Sequence, residues 1–79
     1  MEVKLVSYGI VRDILKEKEI NYSVTGETIG ELKSSLYEKY PELKKLRSLR
    51  FAVNQEYVTD NQEIKHTDEI ILIPPVSGG

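Results

Sequence analysis

The last residues of the chain are the ones whose types could do chemistry. The sequence ends Pro74-Pro75-Val76-Ser77-Gly78-Gly79. Its two glycines would present a carboxylate on a tether without side chains, which can pass through a tunnel too narrow for other residues. We therefore expect the carboxylate of Gly79 to be the reacting group. A disordered end without a function is the alternative interpretation, but the distinctive residues before the glycines argue against it.

Composition limits the chain to one small domain. With 79 residues, of which 39% are hydrophobic, a domain of this size buries only about 60–65% of its unfolded surface and has little room for a deep cleft. The chain contains no cysteine, so disulfides, cysteine zinc sites and thiol nucleophiles are excluded. This composition favours the cytoplasm.

The ends and the charge of the chain point away from membranes and nucleic acids. Polar residues interrupt the N-terminal segment at Ser7, too early for a signal peptide, and no apolar run reaches membrane-spanning length. A formal net charge of -2 gives no overall attraction for nucleic acid. We expect neither a nucleic-acid nor a membrane partner.

Hydrophobic periodicity predicts the elements that position the tail: a domain over residues 1–73 and an extended tail over residues 74–79. Alternating patterns predict strands over residues 2–8, 20–24, 51–53, 57–58 and 69–73. A short helix should bury one face formed by Ile10, Val11, Ile14 and Leu15.

The main helix has clear start and stop signals. Thr28 and Glu31 form a Thr-x-x-Glu capping box, and Pro41 should end the helix. The apolar stripe of this helix consists of Ile29, Leu32, Leu36, Tyr37 and Tyr40. Leu43, Leu46 and Leu49 should then pack an irregular or short helical segment beneath the sheet.

The last strand should hold the tail firmly. Its unbroken apolar run from Ile70 to Ile73 predicts that both of its faces are covered and that it has neighbours on both sides. Pro74 and Pro75 would stiffen the exit because each ring fixes φ and removes a backbone donor. Alternatively, the prolines only stop an edge strand from pairing further.

Two stretches resemble a known family. Phe51-Ala52-Val53-Asn54-Gln55-Glu56-Tyr57-Val58 and Thr67-Asp68-Glu69-Ile70-Ile71-Leu72-Ile73-Pro74-Pro75-Val76-Ser77-Gly78-Gly79 resemble the small subunit of molybdopterin synthase, of the ubiquitin-like sulfur-carrier superfamily. The ending Pro-Pro-Val-Ser-Gly-Gly is the most specific part, since the related thiamine-pathway carrier shares Gly-Gly but generally lacks the double proline. The resemblance implies an α+β, ubiquitin-like β-grasp fold, with a mixed sheet curled over one main helix.

The sequence departs from the family pattern at two places. Where the family often has an Asp-Gly turn before the last strand, this chain has His66-Thr67-Asp68, so a positive φ is not required there. Many relatives place an aromatic anchor just before the double proline, whereas this chain has Ile73. An aliphatic side chain can also fill an apolar pocket.

The resemblance implies a defined chemistry for the tail. An ATP-dependent adenylating enzyme would join the Gly79 carboxylate to AMP, and a sulfur donor would displace the AMP to leave a thiocarboxylate. The large subunit of the synthase would receive the tail, and the sulfur would pass to a cyclic pyranopterin precursor. The dithiolene of molybdopterin needs two such deliveries.

The resemblance also implies roles for the other tail residues. Gly79 would carry the reacting group, and the contacts with partners would come from Ile73, Pro74, Pro75, Val76, Ser77 and Gly78. The tail has no titratable side chain, so catalytic acids and bases must come from the large subunit and this chain would be a non-catalytic sulfur donor. No bound cofactor and no metal are expected, because His66 has no second histidine or cysteine as a co-ligand.

Other functions stay open on sequence alone. A ubiquitin-like protein modifier also begins from an activated Gly-Gly end but forms an isopeptide bond to lysine. A sulfur carrier of another pathway, such as thiamine synthesis or tRNA thiolation, would use the same thiocarboxylate. A pure interaction domain would function without Gly79.

Overall fold

In the part of the chain that the structure describes, the fold comprises five strands, two α-helices and one 3-10 helix. The computed structural model describes residues 1–46 and 49–74. The elements are β1 (Glu2–Ser7), α1 (Gly9–Leu15), β2 (Glu19–Ser23), α2 (Ile29–Lys39), the 3-10 helix Pro41–Lys45, β3 (Arg50–Val53), β4 (Glu56–Tyr57) and β5 (Glu69–Ile73). The predicted strands and helices are thus present, with α2 ending just before Pro41 as expected.

The strands form one mixed sheet in the order β2-β1-β5-β3-β4. β5 pairs in parallel with β1 and antiparallel with β3. The prediction that the last strand has neighbours on both sides is therefore confirmed. The alternative, in which Pro74 and Pro75 stop an edge strand, is wrong because β5 is a central strand.

One face of the sheet and both helices share a single core. On α2, Ile29, Leu32 and Leu36 are fully buried, and they belong to the same cluster as Ile70 and Leu72 of β5. Burying aliphatic side chains of this size stabilises a fold by about 1.5–3 kcal/mol each. This α+β arrangement confirms the expected fold class.

The prediction that both faces of β5 are covered is wrong. Ile70 and Leu72 are buried, but the alternate residues Ile71 and Ile73 are only partly buried. Because successive side chains of a strand point to opposite faces, Ile71 and Ile73 lie on the face away from the helices. We call this the outer face of the sheet.

Two smaller predictions also need correction. Ile10 was expected on the buried face of α1 but is 48% exposed, whereas Val11 is fully buried. The short strand β4 covers Glu56–Tyr57 rather than residues 57–58. The amide of Val58 still donates a hydrogen bond to the carbonyl of Phe51 at 3.1 Å, so the chain stays beside β3 for one residue beyond the strand.

The capping box at the start of α2 is present with a shifted second bond. Thr28 is the N-cap, and its hydroxyl accepts a hydrogen bond from the Glu31 amide at 3.3 Å. The Glu31 carboxylate accepts from the Glu27 amide at 3.0 Å and from the Thr28 hydroxyl at 3.2 Å. The reciprocal bond therefore reaches Glu27, one residue before the N-cap expected for a capping box.

A pair of turns fixes the start of β5. Asp68 closes the turn before the strand: its amide donates to the Lys65 carbonyl at 2.9 Å, and its carboxylate accepts from the Lys65 amide at 2.8 Å. Neither His66 nor Thr67 has a positive φ, so this turn forms without the conformation that glycine permits. Asn54, in the β3–β4 loop, bonds to this turn through its side chain. Its Nδ2 donates to the Asp68 carboxylate, and its Oδ1 accepts from the Glu69 amide, each at 3.1 Å.

The hydrogen bond from the Glu27 amide, together with that from the Thr28 hydroxyl, lowers the pKa of the Glu31 carboxyl below its ordinary value. A lowered folded-state pKa contributes stability above the unfolded pKa, and this contribution is lost as the pH falls through the folded pKa. Glu31→Gln keeps an acceptor oxygen but cannot titrate. We expect the thermal midpoints of wild type and Glu31→Gln to converge on acidification from about pH 6 to pH 3. Parallel midpoint curves over this range would contradict the assignment.

Candidate functional site

The candidate site begins where β5 leaves the sheet. Ile73 is the last residue of β5 and pairs with Arg50 of β3. Its side chain lies on the outer face and is partly buried, as is Pro74, which follows directly. The remaining predicted tail residues, Pro75, Val76, Ser77, Gly78 and Gly79, lie outside the described residues.

An apolar row crosses the outer face next to Ile73. Ile71 pairs with Val6 of β1 on one side and with Ala52 of β3 on the other, and Ala52 pairs with Tyr57 of β4. Directly paired residues lie on the same face of a sheet, so these four side chains form a row across four neighbouring strands. We call this set, Val6, Ile71, Ala52 and Tyr57, the outer row.

The outer row ends at Tyr57, whose exposed ring contacts the side chain of Arg50. Tyr57 is 65% exposed, and the Arg50 guanidinium carbon lies 5.3 Å from the centre of its ring, within the range of a cation–π interaction. Because Arg50 also pairs with Ile73, it lies between Ile73 and Tyr57. An isoleucine, an arginine and a tyrosine therefore stand together beside the exit of the tail, and tyrosine and arginine are enriched in protein interfaces.

The opposite end of the outer face is polar. Lys4 and Glu19 form an ion pair at 3.6 Å, with about half of each side chain exposed. An exposed pair of this kind contributes about 0–1 kcal/mol to stability. The outer face thus combines an apolar half near the tail with a charged half away from it, an arrangement typical of a protein-binding surface.

The sequence identified Ile73 and Pro74 but missed the outer row. The unbroken apolar run Ile70–Ile73 did indicate a second apolar face on β5. It could not show which residues of the neighbouring strands lie beside Ile71, because strand pairing depends on contacts between distant segments. No sequence signal marks Tyr57 as part of this surface, because its 65% exposure is known only from the structure.

The described residues offer no other obvious chemistry. Within residues 1–46 and 49–74, no group of three or more His, Cys, Asp or Glu side chains is placed to hold a metal ion. Among the helices of that same part, none is long and apolar enough to cross a membrane. The site is therefore an outward-facing surface that leads into the tail.

The sheet order, the single main helix and the strand-to-tail exit define a ubiquitin-like β-grasp protein. Solved structures agree: small archaeal modifier protein 1 from Methanosarcina acetivorans matches with a TM-score of 0.80 at 28% identity, over 99% of this chain and 96% of that one. Subunits 1 and 2 of molybdopterin-converting factor from Helicobacter pylori form a protein-protein complex, in which the matching chain has a TM-score of 0.71 and 29% identity, with both chains covered completely.

Within this class, the chain belongs to the ThiS family, whose model matches residues 8–79. Two relatives are named molybdopterin synthase sulfur carrier subunit. The protein of Arabidopsis thaliana is 32% identical over 81 residues, covering 100% of this chain and 84% of the relative. That of Caenorhabditis briggsae is 35% identical over 83 residues, covering 100% and 99%. The resemblance drawn from the sequence is confirmed.

Ile70 and Ile73 provide a matched pair for testing the two faces of β5. Ile70 is fully buried, so Ile70→Ala should lower the free energy of unfolding by about 2–5 kcal/mol through lost burial and a residual cavity. Ile73 is partly exposed on the outer face, and Ile73→Ala should cost less than about 1.5 kcal/mol. Urea unfolding of both variants measures the difference. Equal losses would mean that Ile73 faces the core.

Proposed function

We propose that this chain is the sulfur-carrier subunit of a molybdopterin synthase and that Gly79 carries the sulfur. The observation that carries the proposal is the position of β5: the central strand leads directly into the residues 74–79, and the family match runs to Gly79. The names of the relatives from Arabidopsis thaliana and Caenorhabditis briggsae support the assignment of the pathway.

The reaction at Gly79 requires activation of its carboxylate. An oxygen of the carboxylate attacks the α-phosphorus of ATP on an adenylating enzyme, pyrophosphate leaves, and an acyl adenylate forms. A sulfur nucleophile then displaces AMP, which is a far better leaving group than oxide, and a thiocarboxylate results. Gly78 and Gly79 permit the backbone to approach the enzyme closely because neither has a side chain.

The outer face is the docking surface that we assign to the large subunit. Val6 and Ala52 of the outer row are themselves buried. A partner that receives the tail would therefore meet mainly the partly buried Ile71 and Ile73 and the exposed Arg50 and Tyr57. The complex of subunits 1 and 2 of molybdopterin-converting factor from Helicobacter pylori supports a two-subunit assembly. Ile73 would take the position of an aliphatic anchor in a pocket of the partner.

A protein modifier is the second candidate. The match to small archaeal modifier protein 1 from Methanosarcina acetivorans, at 28% identity over 99% of this chain, favours it specifically. Both functions begin with the same acyl adenylate, and they differ in the nucleophile that follows. A carrier accepts sulfur, whereas a modifier forms an amide with a lysine of another protein.

Intact mass analysis distinguishes these functions. The chain is incubated with the cognate adenylating enzyme, ATP and a sulfur source, and the carrier function predicts the mass change for one sulfur replacing one oxygen at Gly79. Conjugates that resist thiol reagents and contain an isopeptide-linked Gly79, without any thiocarboxylate, would favour the modifier instead.

Removing Gly79 should separate stability from activation. We expect the truncated chain to unfold at nearly the wild-type temperature, because a terminal residue adds little to a core, and to lose ATP–pyrophosphate exchange. Gly78→Val should also lose exchange, since a β-branched side chain stiffens the backbone and obstructs a narrow tunnel. Gly78→Ala is the matched control and should retain more activity than Gly78→Val. Wild-type exchange in the truncated chain would refute the assignment of Gly79.

Ile73→Ala should weaken the complex with the large subunit by about 1–3 kcal/mol, the range for losing a buried aliphatic anchor. Ile70→Ala is the matched control because it lies on the core face of the same strand. Calorimetric titration below the unfolding temperature of both variants gives the two affinities. Wild-type affinity for Ile73→Ala would rule out the anchor, and a similar loss for Ile70→Ala would attribute the effect to the fold.

A further inference from the structure

β1 and β5 continue side by side beyond their last paired residues. Ser7 pairs with Leu72 at the end of the parallel ladder, and two residues later in each segment Gly9 meets Pro74. A Cβ atom added at Gly9 would lie 3.3 Å from Cγ of Pro74 and 3.9 Å from its Cβ. The first proline ring of the tail therefore rests against the backbone of Gly9.

Gly9 meets two separate demands. Its φ is +54°, in the left-handed region that side-chain-bearing residues seldom adopt, and this conformation turns the end of β1 into α1. A side chain at Gly9 would also press on the Pro74 ring, since 3.3 Å is shorter than the best separation of two carbon atoms, about 3.5–4.0 Å. The turn alone would explain the positive φ at Gly9 but not the close approach of the Pro74 ring.

The corner that carries Gly9 is held in place on both sides. The side chain of Ser7 is buried, and its hydroxyl donates to the Glu17 carbonyl at 2.8 Å. The Ser7 amide donates to the Lys18 carbonyl at 2.8 Å, and the Tyr8 carbonyl accepts from the Val11 amide at 3.1 Å. The backbone of Gly9 is therefore a fixed support next to the end of β5.

Pro74 needs such a support because it cannot extend the ladder. Its backbone nitrogen has no hydrogen to donate, and its ring restricts φ. After Ile73, no hydrogen bond from the Pro74 nitrogen can guide the chain, so packing of the ring becomes a candidate for that role. The backbone of Gly9 lies against this ring.

We propose that Gly9 is a positioning residue for the tail: its bare backbone seats the Pro74 ring, and this contact sets the direction in which the chain leaves the domain. The consequence for activation of Gly79 rests on the proposed function. The contact between Gly9 and Pro74, and its effect on the direction of the tail, do not depend on that function.

A double-mutant cycle of Gly9→Ala and Pro74→Ala tests the contact, because Pro74→Ala removes the Cγ atom nearest to an added Cβ. Ser77→Cys supplies a single spin-label site, since the chain has no cysteine. Paramagnetic broadening of backbone amides then reports the direction of the tail. We expect Gly9→Ala to change which amides are broadened, and to cause no further change when Pro74 is already alanine.

The second measurement is ATP–pyrophosphate exchange on the adenylating enzyme. A misdirected tail weakens productive binding, so Gly9→Ala should raise KM for the chain roughly tenfold at unchanged kcat. This rise should vanish in the Pro74→Ala background. The thermal midpoint should fall on introducing Gly9→Ala in both backgrounds, since strain at positive φ does not depend on the ring. If Gly9→Ala does not fold, Gly9→Asn carries the Cβ with less strain, because asparagine tolerates this region.

The outcomes separate cleanly. Equal effects of Gly9→Ala on broadening in both backgrounds would overturn the proposal, since backbone strain and not the Pro74 ring would be the cause. Unchanged broadening in both Gly9→Ala and Gly9→Asn would also overturn it. A changed pattern that is cancelled by Pro74→Ala supports it, and if the wild-type chain is then inactive in exchange, the proposed function fails while the role of Gly9 stands.

Discussion

The parallel pairing of the first and last strands is the interaction on which the rest of this structure depends. β5 lies between β1 and β3, so the segment that precedes the tail is hydrogen-bonded on both sides. Joining segments so distant in the chain has a large loop-closure cost, which the buried side chains around Leu5 and Ile70 offset. Central strands are among the last parts of a domain to open. The tail is thus attached to a strand that, as a central strand, is expected to open rarely.

β5 also divides its alternate residues between the core and the outer face. Ile70 and Leu72 serve the core, and Ile71 and Ile73 face outwards. The sequence could not predict this division, because four consecutive apolar residues are equally the pattern of a strand covered on both faces by its own chain. A sequence shows that a face is apolar. It does not show whether the cover is a helix of the same chain or the surface of another protein.

Local elements were predictable where the determining contacts are local. The Thr28 cap, the stop at Pro41 and the bounds of β5 follow from signals within a few residues. The sheet order, the exposure of Ile10 and the meeting of Gly9 with Pro74 depend on contacts between distant segments. For these, residue patterns gave no prediction or a wrong one. The fold class came from the resemblance of whole segments, in which distant pairings are already implied.

The tail has no titratable side chain between Pro74 and Gly79, so in the proposed activation the side chains of the tail would transfer no proton. The domain would instead contribute the position and the direction of the tail. Glycine provides the necessary space at two places. At Gly9 the missing side chain leaves room for the ring of Pro74, where the tail begins. At Gly78 and Gly79 it would let the backbone enter a narrow tunnel of a partner. Close approach of backbone is the shared physical demand, first within the domain and then between proteins.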